Sequence, residues 1–221
     1  MITEHFSTSE NNTTLIIFFN GWGMDYNCIK HIDLQYIDLL HIHNYTHLQL
    51  DTSSISHYKT IHVVAWSMGV WVAHTVLSGT SLPIQRAVAI NGTLNPINNE
   101  TGIPHKIFLA TLRTLSPENI VRFQKKMFGT IPPEKYKKYI PSRSFDSQKN
   151  ELQWLYNTIT NAPPLSYDTF TWDKAIISND DEIFPPENMI KAWKGITHIE
   201  EVQEPHYVFD GKWINALNSI L

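Results

Sequence analysis

One run constrains this chain more than any other, because a strand pattern becomes a helix pattern across a single small polar residue. In TIHVVAWSMGVWVAHTVL, residues Thr60–Trp66 are almost continuously apolar, as in a strand buried on both faces. Beyond Ser67 the apolar residues Met68, Val72, Val76 and Leu77 recur at helical spacing, and Gly79 is a natural C-terminal stop. Similar short apolar runs occur at TLIIFF (Thr14–Phe19), which breaks at NGWG, and at IQRAVAIN (Ile84–Asn91), which ends at Gly92. HLQLD (His47–Asp51), WDKAIISND (Trp172–Asp180) and THIEEV (Thr197–Val202) are read as further strands. Helices are expected in ENMIKAWKG and in the terminal GKWINALNSIL. Strands alternating with helices predict an α/β protein with a mainly parallel sheet.

The middle of the chain breaks this rhythm. From Pro104 to Lys149 the helical patterns KIFLATLRTL, PENIVRFQKKMF and PEKYKKYI are separated by prolines. That span holds ten basic and three acidic residues, a net charge of +7, against −11 for the remainder. A basic helical cap over residues 104–149 is therefore expected, inserted in an acidic α/β core formed by residues 1–103 and 150–221. Several aromatics of the insert (Phe108, Phe123, Phe128, Tyr136, Tyr139) fit either a cap core or the wall of a tunnel.

The whole chain of 221 residues suits one domain with an insert, and its charge of −4 points to no nucleic-acid partner. The N-terminus, MITEHFSTSENNTT, lacks the charged-then-apolar build of a signal peptide. No apolar run approaches the roughly 20 residues of a membrane span. A single cysteine, Cys28, excludes an intrachain disulfide and fits a reducing compartment. The expectation is a soluble cytoplasmic protein.

The junction at Ser67 has the form of a nucleophile elbow, in which a sharp strand-to-helix turn lifts a serine hydroxyl above the carboxyl ends of the strands. The positive end of the following helix favours negative charge developing there. The usual G-x-S-x-G reads A-W-S-M-G here, with Ala65 at the first glycine position. A serine nucleophile needs a base, and the base needs an orienting acid. In this fold they follow in the order acid, then histidine. NDDEIFPP follows the strand KAIIS, and QEPHYVF follows THIEEV, so each loop supplies the required residue type just beyond a strand. His206 is the candidate base, since His198 lies inside a strand. Asp181 is preferred as the acid, with its neighbour Asp180 as the alternative. The oxyanion donors would be the backbone N–H groups of Met68, after the nucleophile, and of Trp22 in NGWG. A metal reading of HIHNYTH (His41, His43, His47) finds no carboxylate or cysteine nearby to complete a set.

Taken in order, NGWGMD, VAWSMGVWVA, AINGT, GIP, the DDEIFPP loop and EPHYVF resemble the BioG-type pimeloyl-[acyl-carrier protein] methyl ester esterases, short α/β-hydrolases of the biotin pathway. The resemblance runs from about Leu15 to Trp213 and is weakest from Cys28 to Tyr58. That family also carries alanine at the position of Ala65. The resemblance implies a carboxylesterase that demethylates the pimeloyl chain on acyl carrier protein, through an acyl-enzyme, with no metal or organic cofactor. It places the nucleophile on Ser67, the acid on Asp181, the base on His206 and the oxyanion donors on Trp22 and Met68. Acyl carrier proteins are acidic, so Arg113, Arg122, Lys125, Lys126, Lys137, Lys138 and Arg143 of the basic insert are the expected docking residues. Two other readings stay open: a thioesterase or general short-chain esterase of the same fold, and a non-catalytic module that binds acyl carrier protein.

Overall fold

A computed structural model describes residues 1–9, 11–34 and 37–210. Its centre is a seven-stranded sheet: β1 (Ile2–Phe6), β2 (Thr14–Phe19), β3 (Asp38–His43), β4 (Thr60–Trp66), β5 (Ile84–Ile90), β6 (Lys174–Ser178) and β7 (His198–Val202). The spatial order is β1-β3-β2-β4-β5-β6-β7. β1 runs antiparallel to β3, and every other neighbouring pair is parallel.

The nearly continuous apolar runs have a direct cause. Successive strand residues point to opposite faces, and here both faces are covered. Leu15, Ile17, Phe19, Ile61, Val63 and Ala65 enter one core, while Ile16, Phe18, Val64 and Trp66 enter the other. Each large side chain so buried contributes roughly 1.5–3 kcal/mol. The helix α1 (Met68–Leu77) packs on β2 and β4, and α6 (Pro186–Trp193) packs on β6 and β7. No helix among the described residues is long and apolar enough to cross a membrane.

Two strand assignments change. HLQLD is not a strand; the third strand is DLLHIH, buried along its whole length. Its alternate histidines, polar on any hydropathy scale, disguise a run that is wholly interior. The antiparallel β1 is an added edge strand, and its mixed exposure leaves only a weak apolar signal. The terminal helix expected in GKWINALNSIL lies outside the described residues.

The helical segment leaves the sheet after β5 as α2 (His105–Arg113), α3 (Pro117–Phe128), α4 (Pro133–Tyr136) and α5 (Phe145–Asn161). Ser116 caps α3 by accepting the Asn119 N–H at 3.2 Å, ahead of a proline in the first turn, and Gly129 closes the helix with φ +53°. Sequence reading did not pick out α5. It is a single helix of 17 residues that spans the expected junction at residue 149 and continues to Asn161.

Candidate active site

Ser67 joins β4 to α1 with φ 60° and ψ −127°, and its side chain is buried. A non-glycine residue held so costs about 1–3 kcal/mol and persists only where its surroundings enforce it. They do so by a hydrogen bond from the Ser67 N–H to the Ile90 carbonyl (2.8 Å) at the end of β5, and by close packing against β2. A Cβ on Gly69 would stand 2.4 Å from the carbonyl oxygen of Phe19 and 2.6 Å from that of Asn20. The glycine two places after the serine is thus where the new helix passes the end of β2, which explains the S-M-G spacing.

His206 brings Nε2 to 3.0 Å from Ser67 Oγ and Nδ1 to 2.6 Å from Asp181 Oδ2. The other Asp181 oxygen accepts the N–H groups of Ile183 (2.7 Å) and Phe184 (2.9 Å), so the carboxylate cannot turn away. With Nδ1–H donating to Asp181, Nε2 is left to accept from the serine hydroxyl. Asp180, the alternative acid, is exposed. The loop of His206 is fixed through its own carbonyl, which accepts Trp66 Nε1–H (3.0 Å) and Asn91 Nδ2–H (2.9 Å). Asn91 also bonds both the hydroxyl and the N–H of Ser178, tying β5 to β6 beneath the site. Sequence reading did not single out Asn91 by itself; its position just after a strand, before glycine, was the available signal.

Trp22 and Met68 are buried beside the serine, and neither backbone N–H has a partner among the described residues. Both residues, with Ser67 and His206, line a cleft of about 660 Å³ including its open mouth. The walls are apolar, built from Ile103, Ile107, Phe108, Phe123, Met127 and Leu152, and the exposed Lys126 and Glu182 also face it. Phe108 and Phe123 therefore line the cleft, whereas Phe128, Tyr136 and Tyr139 belong to the second core.

The N-G-W-G turn is tied down on each side of Trp22. Asn20 Oδ1 accepts the Gly21 N–H at 2.8 Å, while Asn20 Nδ2 donates to the Asp25 carbonyl (3.1 Å) and to His41 Nε2 (2.8 Å). Beyond Trp22, the Gly23 N–H donates to Glu151 Oε2 at 3.0 Å, with Gly23 at φ +77°. Glu151, fully buried on α5, accepts also from the Tyr45 N–H (2.9 Å) and from Arg143 Nη1 (2.6 Å). Burial pushes its carboxyl pKa up, and the Arg143 charge and the two N–H groups pull it back.

This overturns one expected docking residue. The Arg143 side chain is only 8% exposed and is spent on Glu151, the Met24 carbonyl and Asn44. Arg113, Arg122, Lys125, Lys126, Lys137 and Lys138 are exposed and make no ion pair with a described residue. Away from the cleft, the missing carboxylate of HIHNYTH proves to be Glu4, brought to His41 and His43 by the pairing of β1 with β3; His47 is exposed in a loop. The Asn20 amide, oriented by Gly21 and Asp25, makes His41 Nε2 an acceptor. His41 Nδ1 therefore carries the proton and donates it to Glu4 Oε2 at 2.9 Å.

Residues 1–215 match the family described as pimeloyl-ACP methyl esterase BioG. The chain belongs to that family. The crystal structure of BioG from Haemophilus influenzae superposes with a TM-score of 0.85 at 34% identity, covering 95% of each chain. A malonyl-[acyl-carrier protein] O-methyltransferase of Bacteroides fragilis is 38% identical over 194 residues, which is 87% of this chain but 39% of that protein. An esterase from Exiguobacterium antarcticum shares the α/β-hydrolase fold at 13% identity, with a TM-score of 0.71 over 98% of this chain and 93% of its own.

Proposed function

We propose that the protein hydrolyses the methyl ester of pimeloyl-[acyl-carrier protein] methyl ester, releasing methanol and pimeloyl-[acyl-carrier protein]. The observation that carries this reading is the hydrogen-bonded line Ser67–His206–Asp181 opening into an apolar cleft, in a chain of the BioG family. His206 takes the Ser67 proton as Oγ attacks the ester carbonyl, and Asp181 holds the imidazole in orientation and offsets its charge. The N–H groups of Trp22 and Met68 receive the developing oxyanion. His206 then gives that proton to the departing methoxide oxygen, which leaves as methanol, and water, activated by the same imidazole, releases the acid from the acyl-enzyme.

The apolar walls suit a methylene chain, and the exposed cations of the cap suit an acidic carrier protein as partner. The B. fragilis relative, named for O-methylation of malonyl-[acyl-carrier protein], supports a methyl ester on a carrier-bound acid as the substrate class.

Turnover of the carrier-bound ester, measured beside a small pimelate methyl ester for the wild type and Ser67→Ala, tests the proposal. Strong preference for the carrier-bound ester, abolished in the variant, is expected. Turnover retained by Ser67→Ala removes Ser67 from the mechanism, and preference for a thioester over the methyl ester makes the protein a thioesterase.

A further inference from the structure

The N–H of Trp22, a residue that lines the cleft, has no partner among the described residues, whereas the N–H groups on either side of it are engaged. Before it, the Gly21 N–H is held by the Asn20 side chain, itself fixed by His41 and the Asp25 carbonyl. After it, the Gly23 N–H is held by Glu151. The Trp22 indole N–H donates to the Gln148 carbonyl at 2.7 Å, one turn before Glu151 on the same helix. The peptide that carries the Trp22 N–H is also held at its own carbonyl, since Gly21 O accepts the Met24 N–H at 3.3 Å, so this turn bond and the flanking anchors together set the direction of the Trp22 N–H.

Two of these four anchors, Glu151 and the Gln148 carbonyl, come from α5 and not from the sheet or the turn. Glu151 reaches across to the ends of β2 and β3, where it collects the N–H groups of Gly23 and Tyr45, and Arg143 neutralises it at 2.6 Å. As a source of stability this is an inefficient arrangement. Desolvating both charges consumes most of what the pair returns, and an apolar pair of similar volume would serve about as well. What an apolar pair cannot do is hold two backbone N–H groups in fixed directions.

We propose that Glu151, with Arg143 as its counter-ion, is a positioning residue for the Trp22 oxyanion donor, so that helix α5 completes the oxyanion hole. The inference rests on the ester-hydrolase reading above. A substrate ester carbonyl enters a hole whose one wall, Met68, belongs to the core, and whose other wall is aimed by α5. Displacement of α5 unfastens the Trp22 peptide while leaving Ser67, His206 and Asp181 in contact.

Glu151→Gln tests this. Glutamine keeps the shape but presents an amide N–H₂ to one of the donors that Glu151 accepts. The expected result is a fall in kcat of about tenfold or more, below the roughly 100- to 1,000-fold loss of a whole donor, with KM within about twofold. Affinity for a trifluoromethyl ketone, whose adduct places an oxyanion in the hole, should fall by the same factor as kcat. A folded Glu151→Gln protein with wild-type kcat and ketone affinity, or one altered only in melting temperature, overturns the proposal. Should that variant not fold, Glu151→Asp keeps the charge but shortens its reach to the Gly23 N–H; a several-fold fall in kcat matched by ketone affinity supports the proposal, and unchanged values overturn it. Labelling of the wild type by a fluorophosphonate, absent in Ser67→Ala, checks the hydrolase reading separately. No labelling of the wild type removes both, whereas labelling with an unaffected Glu151→Gln removes the positioning role alone.

Discussion

Asp181 takes three hydrogen bonds, two from backbone N–H groups and one from His206, and that division of labour defines what its replacement does. Asparagine retains one oxygen for the N–H groups of Ile183 and Phe184 but turns a donor, or a neutral acceptor, toward Nδ1. The imidazole is then free to adopt the tautomer that cannot accept from Ser67. Asp181→Asn should lower kcat by a factor on the order of 10⁴, whereas Asp180→Asn, at an exposed position, should leave it unchanged; parallel kinetics on the two variants decides between the neighbours. These residues were legible because each sits in the loop immediately after a strand and is the only suitable type there, or one of two. Glu151 and Asn91 were not, since their partners lie 128 and 115 residues away for Gly23 and His206, and no local pattern announces a contact of that range.

At the scale of elements, α3 presents two surfaces of different chemistry. Phe123 and Met127 face the cleft, while Arg122 and Lys125 are exposed. Lys126 lies between these roles because it also lines the cleft. Arg122→Glu together with Lys125→Glu is accordingly the cleaner probe of carrier docking. The ratio of KM for the carrier-bound ester to KM for a small ester should rise by roughly tenfold at low salt and converge with the wild type as salt is added. An unchanged ratio at low salt takes these residues out of docking. The helices with strong start signals were readable: α3 has Ser-Pro at its head and α6 begins at a proline. In α5 the buried face mixes Gln148 and Glu151 with Leu152 and Leu155, so a polar anchor blurs the apolar stripe that would have revealed the helix. β3 was hidden for the same reason, its interior face carrying His41 and His43.

Across the whole molecule, those two histidines tie stability to pH. Burial pushes His41 and His43 down to about 4, with the neighbouring His41 adding to the effect on His43. Between that value and about 6.5, where an unfolded histidine titrates, the unfolded chain binds protons that the folded one does not. Stability is therefore fully present above about pH 6.5 and declines as pH falls toward 4, by about 3 kcal/mol for His41 taken alone. Urea midpoints recorded from pH 7.5 to 4.5 should drop on the acid side, and His41→Gln should flatten the curve; a flat wild-type curve contradicts the account. The parallel strands raise a separate question, that of alignment. Because β2, β4, β5 and β6 are apolar on both faces, inside and outside do not distinguish one strand register from the next. Each of these strands nevertheless ends at a buried polar residue: Asn20, Ser67, Asn91 or Ser178. Sliding any strand by one place would drag that residue into hydrocarbon and strip its partners, at a penalty of about 1–3 kcal/mol. The residues that frame the candidate site thus also serve as the alignment marks of the sheet, and a mutation made there can loosen the specificity of folding.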